Sequence, residues 1–141
     1  MKIAVVDGQG GGIGKHIVEK IRHSLPHDVE IIALGTNSIA TSLMLKAGAN
    51  EGATGENAII YNARKVDFII GTIAVVVPNA MLGELTPKMA EAIADSSATK
   101  ILLPLNKIRV DIVGVKDEPL PHLIDEAVEK LKKFMEGGSN V

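Results

Sequence analysis

Five glycines in seven positions follow the first apolar run of this chain, and no other feature restricts its fold as much. The run, Lys2–Val6, is largely β-branched and apolar, as suits a strand buried on both faces of a parallel sheet. The glycines lie in Asp7-Gly8-Gln9-Gly10-Gly11-Gly12-Ile13-Gly14-Lys15. Glycine at that density raises the entropy lost on folding. A turn needs one or two; five imply that backbone must approach something closely. Ile13, Ile17, Val18 and Ile21 then fall at helical spacing up to Leu25, and Pro26 ends the helix. Strand, glycine loop and helix N-terminus in that order make an anion site. The first helical N–H groups are unpaired and the dipole is positive there. A tight turn with spare glycines is the plainer alternative.

The rest of the chain repeats the alternation. Val29–Leu34 reads as a strand closed by Gly35, and Thr36, Asn37 and Ser38 offer caps for a helix over Ile39–Ala47. Ala49–Gly55 reads as a glycine-bearing loop, and Asn57–Lys65 as a short helix opened by Thr54, Glu56 and Asn57. Asp67–Gly71 is a third strand. Ile73–Val77 is ambiguous between strand and helix, and Ile73–Leu82 is taken as a short helix kinked at Pro78. Thr86-Pro87 starts a helix running to Asp95. Lys100–Leu103 is a fourth strand, Val110–Val115 a fifth at the edge, and Pro119–Met135 a last amphipathic helix. Such alternation specifies an α/β, three-layer Rossmann-like fold: a mostly parallel sheet of about five strands with helices on both faces. Residues 1–136 form one such domain, and 137–141 a flexible C-terminal tail.

In such folds ligands bind where the strands' carboxyl ends meet, near the switch in strand order. That edge collects Asp7–Lys15, Gly35–Ser38, Thr54–Asn57, Gly71–Thr72, Asn79–Thr86 and Pro104–Asn106. Composition removes other functions. The 141 residues hold no cysteine, so disulfides, zinc thiolates, iron–sulfur clusters and thiol nucleophiles are excluded. Aromatic residues are 2% and net charge is −2, which leaves little for stacking bases or binding a phosphate backbone. No run approaches the ~20 apolar residues of a membrane span. Lys2–Val6 runs straight into glycines, unlike a signal peptide. The expected location is cytoplasmic.

Known glycine loops fit only in part. The dinucleotide pattern G-x-G-x-x-G fails from Gly8, because Ile13 takes the last glycine. Gly8-x-x-x-Gly12-Ile13-Gly14 matches the loop of short-chain dehydrogenases. The ribose-binding acid expected after the second strand is replaced by Thr36-Asn37-Ser38. That family's catalytic Tyr-x-x-x-Lys resembles only Tyr61-Asn62-Ala63-Arg64-Lys65, too early in the chain for the role to carry over. Gly11-Gly12-Ile13-Gly14-Lys15 resembles a deviant P-loop. Gln9 and Gly10 replace its first glycine and signature lysine, and His16 replaces its magnesium-binding Ser or Thr.

Among titratable groups, Asp7 either orients a ligand or caps its own loop. Asp7, Glu56 and Glu84 lie on one edge and form a carboxylate cluster if the fold brings them together. His16 is the histidine nearest the loop. No His-Glu pair appears, and no metal site is expected.

Five blocks carry a resemblance: Asp7–Gly14, Ala33–Asn37, Gly52–Ala58, Met81–Pro87 and Ile101–Asn106. They resemble a short bacterial family, domain of unknown function 3842, over nearly the whole chain. The resemblance implies a Rossmann-like fold and no activity. The leading expectation is a protein that binds a small phosphate-bearing ligand, a nucleotide, dinucleotide or phosphorylated metabolite. Asp7, Gly8, Gly10, Gly11, Gly12, Ile13, Gly14 and Lys15 would hold the phosphate. Thr36 and Asn37 would meet a ribose or sugar, and Thr54, Glu56 and Asn57 would close the pocket. The alternatives are a non-catalytic oligomeric subunit, a homodimer through Ile73–Val77 and Met81–Leu82, and a small enzyme using Asp7 or Glu84 in acid–base chemistry.

Overall fold

The structure, a computed structural model, describes residues 1–105 and 108–137. Asn106 and the tail residues 138–141, both named above, lie outside the described residues. Five strands form one parallel sheet: β1 (Lys2–Asp7), β2 (Glu30–Gly35), β3 (Glu51–Thr54), β4 (Phe68–Thr72) and β5 (Thr99–Leu103). Their order across the sheet is β3-β2-β1-β4-β5. The central β1 pairs in register with β2, from Lys2 opposite Glu30 to Asp7 opposite Gly35, and on its other side with β4. The order reverses between β1 and β4, so a crevice must open there at the carboxyl edge.

The helices are α1 (Gly12–Ser24), α2 (Ser38–Ala47), α3 (Glu56–Ala63), α4 (Pro87–Asp95) and α5 (Leu120–Met135). Alternate residues of each strand face opposite layers, so the core divides in two. Ile3, Val5, Ile31 and Ile70 pack with Ile17 and Ile21 of α1, Met44 of α2 and Val128 of α5. Ala4, Val6, Leu34 and Ile69 pack on the other face with Ile59 of α3 and Ile93 of α4. Both layers are aliphatic; Phe68 and Phe134 form the one aromatic pair among the described residues, centroids 6.2 Å apart. Local signals set several boundaries. Asn37 caps α2 by accepting from the Ala40 N–H (2.9 Å), and Thr86 caps α4 by accepting from Met89 (3.2 Å).

Three expectations need correction. Val110–Val115 is not a strand; Asp111 and a left-handed Gly114 (φ 89°) interrupt it, and Val113 is 99% exposed. The fifth strand is β3, inside the segment read as a loop. It lacks a β-branched run because it is an edge strand paired only to β2. Gly52 lets α2 lie close over the strand: a Cβ would stand 2.8 Å from Thr41 Cγ2 and 2.9 Å from Leu45 Cδ1. The helix expected over Ile73–Leu82 is a 3-10 turn at Ile73–Val76 only. Pro78 supplies no N–H to continue it, and the chain turns left-handed at Asn79, Met81 and Leu82 (φ 66°, 59° and 56°).

Candidate functional site

The carboxyl end of β1 determines the glycine loop. Asp7 is 5% exposed, and its two oxygens accept from different parts of the loop. Oδ1 takes the Gly8 N–H at 2.8 Å and Oδ2 the Gly14 N–H at 2.6 Å. Asp7 thus satisfies the third N–H of α1 from outside the helix, where the N-cap Gly11 has no side chain to do so. Burial pushes the Asp7 carboxyl above its ordinary value; the Gly14 and Gly8 N–H groups pull against that rise, and the Glu84 charge adds to it.

The loop glycines separate into two sets. A Cβ on Gly14 would lie 2.7 Å from both Asp7 Cβ and Met44 Sδ. One on Gly11, which is left-handed at φ 75°, would lie 2.8 Å from Ala40 Cα. One on Gly8 would meet Thr36 Oγ1 and lie 2.6 Å from Met81 Sδ. These three are demanded by the packing of α1, α2 and the 79–85 turn. A Cβ on Gly10 or Gly12 would have nothing within 4 Å. Gly11 N–H donates to Gly8 O and Lys15 N–H to Gly11 O. Among the described residues the N–H groups of Gly10, Gly12 and Ile13 donate to no protein group.

Glu84 fastens a second element to the loop. Its Oε1 accepts from the Thr36 hydroxyl (2.7 Å), the Gln9 N–H (2.9 Å) and the Asn37 amide (2.9 Å). Asn37 Nδ2 also donates to Gln9 O at 3.0 Å. Those donors, Gln9 foremost and then Thr36 and Asn37, hold the Glu84 carboxyl below its ordinary value. The turn that presents Glu84 is closed by Asn79 N–H to Leu85 O (2.8 Å) and Leu85 N–H to Ala80 O (3.2 Å).

Beside the loop, between β1 and β4, lies a cleft of about 1010 Å³. Asp7, Gly8, Gln9, Gly10 and Gly12 line it from the end of β1 and the loop, and Ile13 and His16 from the first turns of α1. Thr72 and Ala74 follow β4, Met81 and Leu82 form a rim, and Leu105, Ile108 and Leu120 an apolar wall. His16 is exposed, with Nδ1 3.6 Å from Glu19 Oε2.

The structure brings together Asp7, Gly8, Gly10, Gly12 and Ile13 at the cleft. Gly11 and Gly14 face the protein, and Lys15 does not line the cleft. Thr36 and Asn37 are engaged by Glu84 instead of facing the cleft. Thr54, Glu56 and Asn57 stand across β2: the Thr54 hydroxyl lies 2.8 Å from that of Thr41, and Glu56 and Asn57 open α3. None of the three lines the cleft. Of the three carboxylates grouped by sequence, Asp7 and Glu84 meet at the loop and Glu56 does not. Among the described residues no three His, Cys, Asp or Glu side chains are placed to hold a metal. Tyr61 and Lys65 are paired, Nζ to hydroxyl 2.6 Å, on the exposed surface of α3 and its C-terminal end, away from the cleft. Met81 and Leu105 line the cleft from two of the segments that sequence assigned to this edge; Ile108 and Leu120 also line it and were not marked, because an apolar wall and an apolar core look alike in sequence.

The family model described as Domain of unknown function (DUF3842) matches residues 2–136, and the chain belongs to that family. No curated protein sequence matches the chain. A dodecameric FMN-dependent UbiX-like decarboxylase from Escherichia coli O157:H7 aligns with a TM-score of 0.53 at 13% identity, over 96% of this chain and 95% of that one. A protein assigned as an alcohol dehydrogenase from Thermotoga maritima aligns at 0.48 and 12% identity, over 99% of this chain and 38% of that one. At 13% identity the first likeness establishes the fold alone. Among the described residues no helix is long and apolar enough to cross a membrane.

Proposed function

We propose that this member of the DUF3842 family binds a small phosphate-bearing ligand, a nucleotide or phosphorylated metabolite, at the glycine loop. One observation carries the reading. Gly10 and Gly12, the loop glycines with no neighbour that a side chain would strike, border the cleft, and the N–H groups of Gly10, Gly12 and Ile13 have no protein acceptor among the described residues. A phosphate there would take those donors and the positive end of α1. A helix N-terminus contributes about 0.3–2 kcal/mol, so the backbone donors must act together. The body of the ligand would lie along Ile13, Met81, Leu105 and Leu120. Thr36 and Asn37 then act through Glu84, and Thr54, Glu56 and Asn57 make no ligand contact.

FMN is a reasonable first probe, because the decarboxylase of like fold depends on it. It also joins one phosphate to a broad ring suited to an apolar wall. The test is thermal stabilisation by inorganic phosphate, AMP and FMN. The expected result is a raised melting temperature for the wild type. Gly12→Val is expected to fold as the wild type does and to lose the effect, since a Cβ there has nothing within 4 Å. If no phosphate compound stabilises the wild type, or Gly12→Val responds as the wild type does, the reading is wrong.

Leu82 favours a second, compatible reading, in which copies of the chain assemble. It is 97% exposed and is held outward by a left-handed backbone that an L residue adopts at a cost. The decarboxylase of like fold is a dodecamer. Light scattering decides: a wild type that is monomeric at micromolar concentration removes this reading, and an assembly dispersed by Leu82→Asp supports it.

A further inference from the structure

We infer that Glu84 is a specificity-determining residue that fills the β2 side of the crevice, so that the site takes ligands with one phosphate-bearing half and turns away dinucleotides. The inference rests on the phosphate reading above. In an open parallel sheet a dinucleotide lies across the crevice, with groups on both sides of the first strand. Here the two sides differ. The β4 side is open, and Thr72, Ala74, Leu105 and Ile108 line it. On the other side, among the described residues, nothing from β2 or β3 reaches the cleft.

The polar groups of that closed side are already in use. The Thr36 hydroxyl, Asn37 amide and Gln9 N–H converge on one oxygen of Glu84. A second ribose or phosphate needs those same donors. To reach them it must displace an acceptor that three hydrogen bonds hold in place, and a phosphate must do so against the charge of Glu84 and of Asp7 beneath Gly8. Glu84 is not a loose side chain. Its turn is tied at Asn79 and Leu85, and Met81 of that turn packs over Gly8. Dinucleotide sites commonly carry an acid at the end of the second strand, turned toward the ligand. This chain supplies an acid to the same place from a residue 48 positions after Thr36, turned onto the protein's own donors.

The experiment is calorimetric binding of inorganic phosphate, AMP and NAD⁺ to the full chain, as wild type and as Glu84→Ala. In the wild type NAD⁺ binds no tighter than AMP. In Glu84→Ala the affinity for NAD⁺ rises about tenfold relative to AMP. A folded Glu84→Ala protein with the wild-type ratio overturns the inference, as does a wild type that already prefers NAD⁺. Failure of inorganic phosphate to bind the wild type overturns the underlying phosphate reading instead, and the inference with it. Should Glu84→Ala not fold, Glu84→Asp withdraws the oxygen by one methylene. The ratio must then shift in the same direction, and an unchanged ratio overturns the inference.

Discussion

The two faces of the glycine loop are made of the same residue type for opposite reasons. Gly8, Gly11 and Gly14 face inward, where a single added carbon would strike Met81, Ala40, Met44 or Asp7. Gly10 and Gly12 face the cleft and would strike nothing. Glycine density therefore has two causes in one loop. The inward set records how closely α1 approaches β1 and α2. Gly8 also borders the cleft, but the outward set is the one that no contact within the protein accounts for, and so the one that argues for a ligand.

The largest effect that can break this division belongs to Gly14. Its Cβ position is bounded by backbone-anchored Asp7 Cβ and by Met44, both at 2.7 Å. Gly14→Val should cost about 3 kcal/mol in urea unfolding, as overpacked sites do. Gly11→Ala should follow at about 2 kcal/mol, from its left-handed backbone and from the Ala40 main chain that its methyl would strike. If either variant is as stable as the wild type, the inward set is not required by packing and the comparison fails.

Asp7 comes next. Asn at this position keeps one acceptor but turns an N–H donor toward Gly8 or Gly14, which should cost about 1–2 kcal/mol at neutral pH. The two loop carboxylates must also depend on pH in opposite senses. Burial raises Asp7 in the folded state, so its contribution is fully present below its unfolded value of 3.8 and is lost as pH rises through the folded value. Hydrogen bonds lower Glu84 in the folded state, so its contribution is present above its unfolded value of 4.5 and is lost as pH falls through the folded value. Measured against Asp7→Asn, the wild type should lose relative stability from acid toward neutral pH; measured against Glu84→Gln, it should gain. The Glu84 slope should be the shallower, since that side chain is partly open to water. Slopes of the same sign would mean that one of the two environments is misassigned.

Sequence carries what is local and loses what is distant. The Thr86-Pro87 cap placed α4 at its observed start because capping acts within a single turn. The run Lys2–Val6 revealed β1 because a strand buried on both faces must be apolar at every position. Glu51–Thr54 revealed nothing, since an edge strand under α2 needs neither β-branching nor bulk. Val110–Val115 looked like a strand because alternation alone does not provide a partner. At the site, the loop and the capping alternative for Asp7 were legible from residue type. The Glu84 clamp was not. It joins residues 48 positions apart, and the turn that makes it possible is left-handed at Met81 and Leu82, where no glycine announces the conformation.

The smallest effect sharpens the comparison most. Gly12 is the first residue of α1, has no left-handed backbone and has open space where a Cβ would go. Gly12→Ala should therefore leave stability within about 0.5 kcal/mol of the wild type, with any change tending to stabilise, because alanine loses less entropy than glycine on entering a helix. The same methyl stands beside the N–H groups on which a phosphate would rest. Thermal stabilisation by inorganic phosphate should fall in Gly12→Ala and disappear in Gly12→Val, while both fold as the wild type does. Urea unfolding and phosphate titration on the same two proteins separate the causes. A variant that loses stability and phosphate response together would place Gly12 with Gly14, as a residue that packing requires. Loss of the response alone keeps the two faces of the loop distinct.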